Sequence, residues 1–414
     1  MNPPPDRANS VDFRDVRILA APEGSAVNAT ELARLRTHAV PPFSPERVEQ
    51  LGRLSQRIMQ HPDLRHDAAS VAAAFWLRPA NLSRMIGAWR RNAGSNVELV
   101  AAGLVFHVAP ANVDTMFLYS WALAYVTGNA SMVRLSSERP GISAGLLECI
   151  ASGMKSAPAA WKGNLFVTHP HNDSLTAAFS AVCDQRVVWG GDETVRRLRL
   201  VPLHPHAGER SFATKFSFAV LPAERFLTAS RAARTDLIRR VLTDLTPFAQ
   251  QACSSPHLIY WLGSETAARA ALQVFAEVLG GQQNGVALPL AVERLVAVFE
   301  AAADGGAWQR GVFTPALWNL VADPGADAHG GPGFGVLRHA VLPCLDALAQ
   351  RCSPADQTVG HWGLDGDEVR TLARVCGRAG VDRVVPVGRA LEFSPVWDGH
   401  DLIGDFVRRV WIAE

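Results

Sequence analysis

The sequence lacks an excess of charge of either sign. Its 40 lysines and arginines nearly balance 39 aspartates and glutamates, which leaves a formal net charge of +1 at pH 7. A protein that binds nucleic acid over an extended surface needs a clear basic excess. We therefore expect no nucleic acid among the main partners of this chain.

The chain also lacks the spacings that metal sites and disulfide frameworks require. Its six cysteines, at positions 149, 183, 253, 344, 352 and 376, form no CxxC pair and no Cys/His ligand motif. This pattern predicts neither a bound metal nor a set of disulfides, and it is typical of a reduced, cytoplasmic protein.

Long apolar runs are missing as well. No uncharged apolar stretch approaches the roughly 18 residues that a membrane-spanning helix needs. The N-terminal segment Met1–Arg7 has no charged stretch leading into an apolar run, so it does not resemble a secretory leader. We therefore expect no membrane insertion.

What the chain does have is an alternation of short apolar runs and amphipathic stretches. Residues 1–43 are rich in proline and are predicted to form an extended arm. Residues 44–91 repeat apolar positions every three to four residues, as amphipathic helices do. Beyond Val97 the alternation predicts a parallel sheet with crossover helices. The predicted strand and helix pairs are 104–108 and 115–126, 132–135 and 142–154, 165–168 and 173–182, 186–189 and 193–200.

This order predicts an α/β protein with a doubly wound parallel-sheet domain. None of the strand-to-helix turns carries a GxGxxG fingerprint, so an ordinary dinucleotide loop is absent. A second α/β domain is predicted to begin with a strand at 216–221 and a helix at 229–245. Two or three domains suit a chain of 414 residues, because one core rarely grows that large.

Cys253 is the first candidate for chemistry. It stands in the polar segment Gln250–Pro256, between a long amphipathic stretch and the apolar run 258–262, and is predicted to be displayed at that junction. A thiol whose pKa is lowered by N–H donors or positive charge is a strong nucleophile that forms thioesters with acyl groups. An ordinary buried cysteine is the structural alternative.

Three segments, in order along the chain, resemble the aldehyde dehydrogenase superfamily and more closely its LuxC-type fatty acyl-CoA reductases. They are Gly103–Asp114 with its continuation at 119–121 and 128–137, then Val188–Val195, then Gln250–Ser255. The resemblance extends from about residue 70 to the C-terminus and implies an aldehyde dehydrogenase-like fold. Its implied domains are an N-terminal arm and helical segment at 1–96, an NAD(P)-binding domain at 97–215 plus about 388–414, and a catalytic domain at 216–387.

The resemblance implies that Cys253 is the catalytic nucleophile. It also implies that the side-chain amide of Asn112, with the backbone N–H of Cys253, donates to the oxyanion of the tetrahedral intermediate. Each such donor typically stabilises a transition state by roughly 2.7 to 4 kcal/mol. The alternative for Asn112 is a helix N-cap, and both roles can coexist.

A nicotinamide cofactor is implied by the same resemblance. Gly190 and Gly191 would admit its pyrophosphate at the start of a helix, or form a plain tight turn. Ser137 stands where NAD-using members often have a carboxylate, so a 2′-phosphate could pair with Arg134 or Arg139. NADPH is therefore predicted, with NADH as the alternative. The implied cofactor residues are Pro110, Arg134, Ser136, Ser137, Trp189, Gly190, Gly191 and Thr194.

The chain also departs from the family pattern. Residues 211–215 carry no carboxylate where hydrolytic members have a glutamate that activates water, which suits a thioester that is not hydrolysed. A clear counterpart of the glutamate that holds the nicotinamide ribose is also missing. His204, His206 and Glu209 are candidate acid/base groups, with a solvated polar loop as the alternative. His257 could polarise the thiol or be structural.

Together these residues predict NADPH-dependent reduction of an acyl thioester, acyl-CoA first, to the aldehyde through acyl-Cys253. Two alternatives stay open. One is an oxidative NAD(P)-dependent aldehyde dehydrogenase, and the other is an acyl-transfer subunit. The expected partners are the acyl thioester, an acyl-protein synthetase or an acyl-carrier protein, and further copies of the chain in a homo-oligomer.

Overall fold

The computed structural model describes residues 11–92, 94, 96–136, 141–281, 291–296, 299, 308–313, 318–322 and 333–413. These residues divide into two compact units. The first comprises residues up to Ala213, Phe393–Val396 and the residues from His400 onward, and the second comprises Thr214–Glu392 and Trp397–Gly399. The helices at 44–91 lie in the same unit as the first sheet.

The beginning of the chain is not an extended arm throughout. Strand β1 (Arg17–Ala20) pairs antiparallel with a strand at 164–168, and helix α1 (Ala29–Leu35) follows. The side chain of Asn28 caps α1 by accepting from the N–H of Glu31, and Leu32 is buried. The prediction of an extended arm is wrong for these residues because edge pairing and one buried leucine order them.

The predicted amphipathic helices at 44–91 are confirmed as three α-helices. Ser44 caps α2 (Pro45–Gln60), Asp67 caps α3 (Ala68–Trp76), and α4 (Pro79–Arg90) begins with proline at its first position. Each start follows the usual chemistry of helix N-termini, a side-chain acceptor or a residue that needs no N–H partner.

The first unit is built on a six-stranded sheet whose order is β1-β5-β4-β3-β6-β7. Strands β3 to β7 are parallel, which confirms the predicted doubly wound sheet, and β1 is the antiparallel edge. Strands β3, β5 and β6 are buried along their whole length, because helices cover both faces of such a sheet. The elements are β2 (Val97–Ala101), β3 (Leu104–Val108), α5 (Met116–Val126), β4 (Ala130–Leu135), α6 (Ile142–Ser156), β5 (Asn164–Thr168), α7 (Asp173–Val182), β6 (Gln185–Trp189), α8 (Asp192–Arg199) and β7 (Gly208–Phe212).

The second unit contains a seven-stranded sheet whose order is β10-β11-β12-β9-β8-β13-β14. All neighbouring pairs are parallel except β10 with β11. Its elements are β8 (Phe216–Pro222), α9 (Ala223–Thr228), α10 (Arg231–Leu245), β9 (Pro256–Leu262), α11 (Glu265–Gly280), α12 (residues 291–296), β10 (Trp308–Phe313), β11 (Trp318–Ala322), β12 (Val336–Leu342), β13 (Asp356–His361), α13 (Gly366–Arg378) and β14 (Arg383–Pro386).

The chain ends with β15 (Val396–Trp397), β16 (His400–Asp401), α14 (Leu402–Asp405) and β17 (Val407–Trp411). Strand β17 pairs antiparallel with β2 in the first unit. Short 3₁₀ turns lie at Arg36–His38, Leu64–His66, Pro158–Trp161 and Leu345–Gln350. None of the helices in the described part of the chain has the length and apolar character needed to cross a membrane.

Asn129, from the Gly-Asn pair in the first family-like segment, joins three parts of the first unit. Its side chain is buried, accepts from the N–H of Gly103 at 2.9 Å and donates to the carbonyl of Phe406 at 2.8 Å. A buried amide satisfied in this way fixes chain segments that are distant in sequence. Asn129 is therefore a structural residue of the fold.

Candidate active site

Cys253 lies in the turn between the segment Pro247–Gln250 and strand β9, and its side chain is half-buried. The N–H of Ser255 donates to the carbonyl of Ala252 at 2.9 Å. The hydroxyl of Ser217, on the neighbouring strand β8, donates to the carbonyl of Cys253 at 2.7 Å. The cysteine is thus held at the amino end of a central strand, where it is half-buried and not fully displayed.

The backbone before Cys253 is strained. Phe248, Ala249 and Gln250 have positive φ angles of 54°, 51° and 65°, a left-handed conformation that costs L-residues roughly 1 to 2 kcal/mol each. Such strain persists only where surrounding contacts enforce it, and it is concentrated at functional sites.

The side chain of Gln250 enforces this conformation. It is fully buried, and its Nε2 donates to the carbonyls of Pro256 at 2.9 Å and Val336 at 3.1 Å. Its Oε1 accepts from the N–H of Gly335 at 2.9 Å. The N–H of Phe334 donates to the carbonyl of Ala249 at 2.9 Å. Residues 334–336 therefore hold the loop that carries Cys253.

Opposing effects act on the thiol of Cys253. Burial raises its pKa above the ordinary value, the backbone N–H of Lys215 donates to the sulfur and lowers the pKa, and the carboxylate of Asp398 raises it. The positive charge of Lys215 lowers it further. The net direction is upward, so the sulfur rests as a thiol beside a donor and a cation that stabilise the thiolate when it forms.

Lys215 and Asp398 are each held by neighbours within the second unit. The ammonium group of Lys215 forms an ion pair with Asp382. Asp398 accepts from the Nε2 of buried Gln357 at 2.7 Å, and the N–H of Asp382 donates to the carbonyl of Gln357 at 3.2 Å. Gln357 thus ties both carboxylate residues to strand β13.

His257 has a structural environment. It lies in β9, its side chain is buried, and its ring meets that of Phe216 edge to face with centroids 6.0 Å apart. The groups that shift the pKa of Cys253 are its own turn, Lys215 and Asp398. The structural interpretation of His257 is the better supported of the two considered from sequence.

In the first unit, the remaining candidate residues follow the carboxyl ends of parallel strands. Strands β4 and β5 are added on one side of β3, and strands β6 and β7 are added on its other side. The order in which strands are added therefore changes sides between β3 and β6. Ligands of doubly wound sheets bind in the crevice at such a change of sides. Pro110 and Asn112 follow β3, and Gly190 and Gly191 follow β6.

Asn112 lies in the loop after β3, and its side chain is exposed. Helix α5 begins at Met116, and its N-cap residue is Thr115. The N-cap interpretation of Asn112 is therefore wrong, which leaves its amide outside the helix. Pro110, two residues earlier, is half-buried.

Arg134 is the fifth residue of β4, and its Nη2 donates to the carbonyl of His169 at 3.3 Å. Ser136 follows the strand and is half-buried. Ser137 and Arg139, predicted beside the 2′-phosphate, lie outside the described residues.

The Gly190–Gly191 turn leads directly into α8, and Gly191 is the N-cap residue of that helix. A Cβ atom at Gly190 would lie 3.0 Å from Cγ2 of Thr194, so a larger residue in this turn would require Thr194 to shift. Trp189 is buried, stacks on Phe212 with ring centroids 3.8 Å apart, and donates from Nε1 to the hydroxyl of Ser120 at 3.0 Å. Only the backbone of Trp189 remains for a ligand.

The solvated-loop interpretation fits His204 and His206 but is wrong for Glu209, which lies in strand β7 and is half-buried. The carboxylate of Glu209 accepts from the Nε of Arg186 at 2.6 Å and from the hydroxyl of Ser211 at 2.9 Å. His204 and His206 lie in an exposed turn with their ring centroids 5.3 Å apart. Glu209 is the partner of a buried arginine.

Sequence reasoning missed the roles of Lys215, Asp398 and Gln250. Lys215 lies in the segment 211–215, where hydrolytic aldehyde dehydrogenases have a water-activating glutamate. Asp398 precedes a glycine in a turn, and its φ is 47°. An Asp-Gly pair signals a turn, but nothing local connects either residue with Cys253.

The two parallel sheets and the cysteine loop define an aldehyde dehydrogenase-like fold. Similar solved structures include aldehyde dehydrogenase 21 from Physcomitrella patens, with a TM-score of 0.66, 13% identity, and coverage of 93% of this chain and 89% of that one. The NAD-dependent aldehyde dehydrogenase from Sinorhizobium meliloti gives a TM-score of 0.66, 13% identity, and coverage of 96% and 90%. The NADP-dependent glyceraldehyde-3-phosphate dehydrogenase from Bacillus halodurans gives 0.64, 13%, and coverage of 96% and 95%.

The match to a sequence family is more specific than the similarity of fold. The model of the family described as acyl-CoA reductase (LuxC) matches residues 77–293, and the chain belongs to this family of oxidoreductases that act on acyl groups. None of the curated proteins is significantly similar to the chain in sequence.

Proposed function

We propose that the protein reduces an acyl thioester, acyl-CoA first, to the corresponding aldehyde with NADPH and through an acyl-Cys253 intermediate. The observation that carries this proposal is the position of Cys253, which follows three strained residues at the amino end of a central strand and is held there by hydrogen bonds from Ser217 and Gln250. In a member of an acyl-CoA reductase family, a sulfur with a thiolate-stabilising donor is suited to form and break a thioester bond.

The first unit fits an anionic nucleotide at the edge where its parallel strands end. The turn at Gly190 is closely packed against the side chain of Thr194, and Arg134 is the fifth residue of β4. We assign Pro110, Ser136, Ser137, the backbone of Trp189, Gly191 and Thr194 to the same cofactor site. When bound there, NADPH would supply the hydride that reduces the acyl group.

In the proposed reaction, the thiol of Cys253 releases its proton to solvent, from which the departing CoA thiolate later takes one up, and the Cys253 thiolate attacks the carbonyl carbon of the thioester. The amide of Asn112 and the backbone N–H of Cys253 donate to the oxyanion, which stabilises the tetrahedral intermediate. The intermediate collapses, expels the CoA thiolate and leaves acyl-Cys253. After reduction, the Cys253 thiolate leaves again, with the Lys215 N–H as its donor, and the aldehyde is released.

The oxidative alternative has one observation in its favour. The carboxylate of Asp398 is close enough to raise the pKa of Cys253. The segment 211–215 has no carboxylate of its own, and Asp398, from a distant part of the chain, would take that place. A carboxylate beside an acyl-enzyme could activate water. One oxygen of the Asp398 carboxylate already accepts a hydrogen bond from Gln357.

The test is intact-mass spectrometry of the full chain after mixing with a panel of acyl-CoA thioesters, before and after addition of NADPH. We expect a mass increase of one acyl group that disappears on addition of NADPH as aldehyde forms. Cys253→Ala should form no adduct. Cys344→Ala, which removes an exposed thiol, should behave like the unmodified chain. Asn112→Ala should form the adduct roughly 100- to 1,000-fold more slowly, with an unchanged melting temperature because Asn112 is exposed.

Each other outcome contradicts the proposal in a distinct way. An adduct that persists in NADPH would indicate an acyl-transfer subunit, and an adduct that decays in water to the free acid would indicate the oxidative alternative. The absence of an adduct with every thioester tested would overturn acyl-CoA as the donor.

A further inference from the structure

A cluster of cationic and imidazole side chains lies where strands β4 and β5 end, and it joins Arg134 to residues that were not named from sequence. Strand β5 is followed by the turn His169-Pro170-His171, and α7 begins two residues later at Asp173. The Nη2 of Arg134 donates to the carbonyl of His169 at 3.3 Å, and the Nη2 of Arg197, in α8, donates to the Nδ1 of His171 at 2.9 Å. The turn after β5 therefore contacts an arginine from each of two other elements.

The contact with Arg197 determines which nitrogen of His171 carries a proton. A guanidinium can only donate, so Nδ1 of His171 must accept. The proton of the neutral imidazole then lies on Nε2. Because the side chain of His171 is exposed, this Nε2–H is a donor that solvent or a ligand can reach.

The surroundings of Arg197 differ from those of its neighbour on the same helix. Arg196 is exposed and forms ion pairs with Asp192 at 3.7 Å and Glu193 at 3.2 Å. Arg197 is half-buried, and no carboxylate of the described residues lies within ion-pair distance of it. Its Nε is buried and has no hydrogen-bond partner in the described part of the chain. A buried donor of this kind costs free energy until an acceptor reaches it.

The cluster also concentrates positive charge. Burial lowers the pKa of His169, and the nearby Arg134 and His171 lower it further, against a hydrogen bond to the carbonyl of Pro170 that raises it. The two cationic centres and the two imidazoles are therefore within electrostatic range of one another. Arg197, which has no carboxylate of the described residues within ion-pair distance, is suited to bind a phosphate group, because a guanidinium presents two parallel N–H donors.

We propose that Arg197, together with Arg134 and the Nε2–H of His171, binds a phosphate monoester on the adenosine ribose of a nucleotide ligand. This inference rests on the proposed function, which supplies two ligands with that chemistry. NADPH carries such a phosphate at the ribose 2′ position and CoA carries one at the 3′ position. His169 positions Arg134 and the turn, and it does not contact the ligand.

The test is isothermal titration calorimetry on the full chain with two pairs of ligands, NADPH against NADH and CoA against dephospho-CoA. In the unmodified chain, the phosphorylated member of one pair should bind more tightly. Arg197→Ala should weaken that binding by about 10- to 100-fold, the usual value of a hydrogen bond to a charged group, and leave the dephosphorylated member unchanged. Arg197→Lys should recover part of the affinity. His171→Gln, whose amide N–H replaces Nε2–H, should retain most of it.

Arg196→Ala is the matched control, because it removes the same charge one residue away and should leave all four affinities unchanged. If Arg197→Ala no longer discriminates between NADPH and NADH, the 2′-phosphate is the ligand. If it no longer discriminates between CoA and dephospho-CoA, the 3′-phosphate is the ligand. Equal affinities within both pairs in the unmodified chain, or equal effects of Arg197→Ala and Arg196→Ala, would overturn the subsite. Because binding is measured without turnover, the absence of aldehyde formation alone would count only against the proposed function.

Discussion

At the scale of single residues, the reactivity of Cys253 depends on groups that oppose one another. Burial and the charge of Asp398 favour the thiol, and the N–H and charge of Lys215 favour the thiolate. A cysteine kept mostly as the thiol is protected from oxidation, and its thiolate is stabilised by Lys215 when it forms. The balance can be shifted in either direction by neutralising one neighbour.

We predict that Asp398→Asn and Lys215→Met change the alkylation of Cys253 in opposite directions. Loss of the negative charge lowers the pKa of Cys253, so Asp398→Asn should react faster with iodoacetamide at neutral pH. Loss of the positive charge raises the pKa, so Lys215→Met should react more slowly and need a higher pH. Asparagine tolerates the positive φ of 47° at this position. The measurement is the pH profile of alkylation, followed by mass spectrometry of the Cys253 peptide.

The exposed thiol of Cys344 provides the internal control in the same samples, and its rate should not change. If both substitutions shifted the Cys253 profile in the same direction, the assignment of the two charges would be wrong.

At the scale of elements, the loop before Cys253 is a strained connection between α10 and β9. Three consecutive residues with positive φ would relax in an isolated chain. Gln250 prevents this, because its amide bonds reach both β9 and the residues that lead into β12. The position of Cys253, the proposed nucleophile, is therefore determined by a glutamine three residues before it.

We predict that Gln250→Ala destabilises the protein by about 1 to 3 kcal/mol, the cost of leaving buried backbone groups without partners. The same change should slow acylation of Cys253, because the loop can relax. The measurements are urea unfolding and the rate of adduct formation. Gln273→Ala is the matched control. Gln273 lies in α11 and bonds the exposed Glu277, so its loss should cost about 0.5 kcal/mol or less.

At the scale of the whole molecule, the first unit is made from two separate parts of the chain. The chain leaves it after Ala213 and returns to it from residue 393 onward. The returning segment contacts several early elements. The carbonyl of Phe406 accepts from the N–H of Ala102 at 3.1 Å, and Arg210 bonds Asp405 at 2.7 Å. The first unit therefore cannot be completed until the C-terminal residues have been synthesised.

We predict that Phe406→Ala destabilises the protein by about 3 to 5 kcal/mol, the usual cost of deleting a fully buried phenylalanine. Val410→Ala, on the exposed side of β17, should cost about 0.5 kcal/mol or less. Urea unfolding of both variants checks this. A similar small effect of the two substitutions would show that the C-terminal segment is dispensable for the first unit.

The fold was largely predictable from local patterns. Each parallel strand from 104 to 189 was predicted within two residues of its observed start, because strands buried on both faces are continuous apolar runs. The helices followed from their periodicity and caps. Strand β1 was missed because its four residues carry no such signal, and its pairing partner β5 lies about 150 residues later in the chain.

The candidate active site was likewise predictable in part from local sequence. The sequence alone determined which residue types could carry chemistry, namely Cys253 in its polar segment and Asn112 after a buried strand. It did not indicate that Lys215 and Asp398 act on the thiol, that Gln250 holds the loop, or that Arg197 meets His171. Those relations were decided by the tertiary structure, because hydrogen bonds and charge interactions depend on distance in space. The parallel strands bring residues that are far apart in the chain to a common edge.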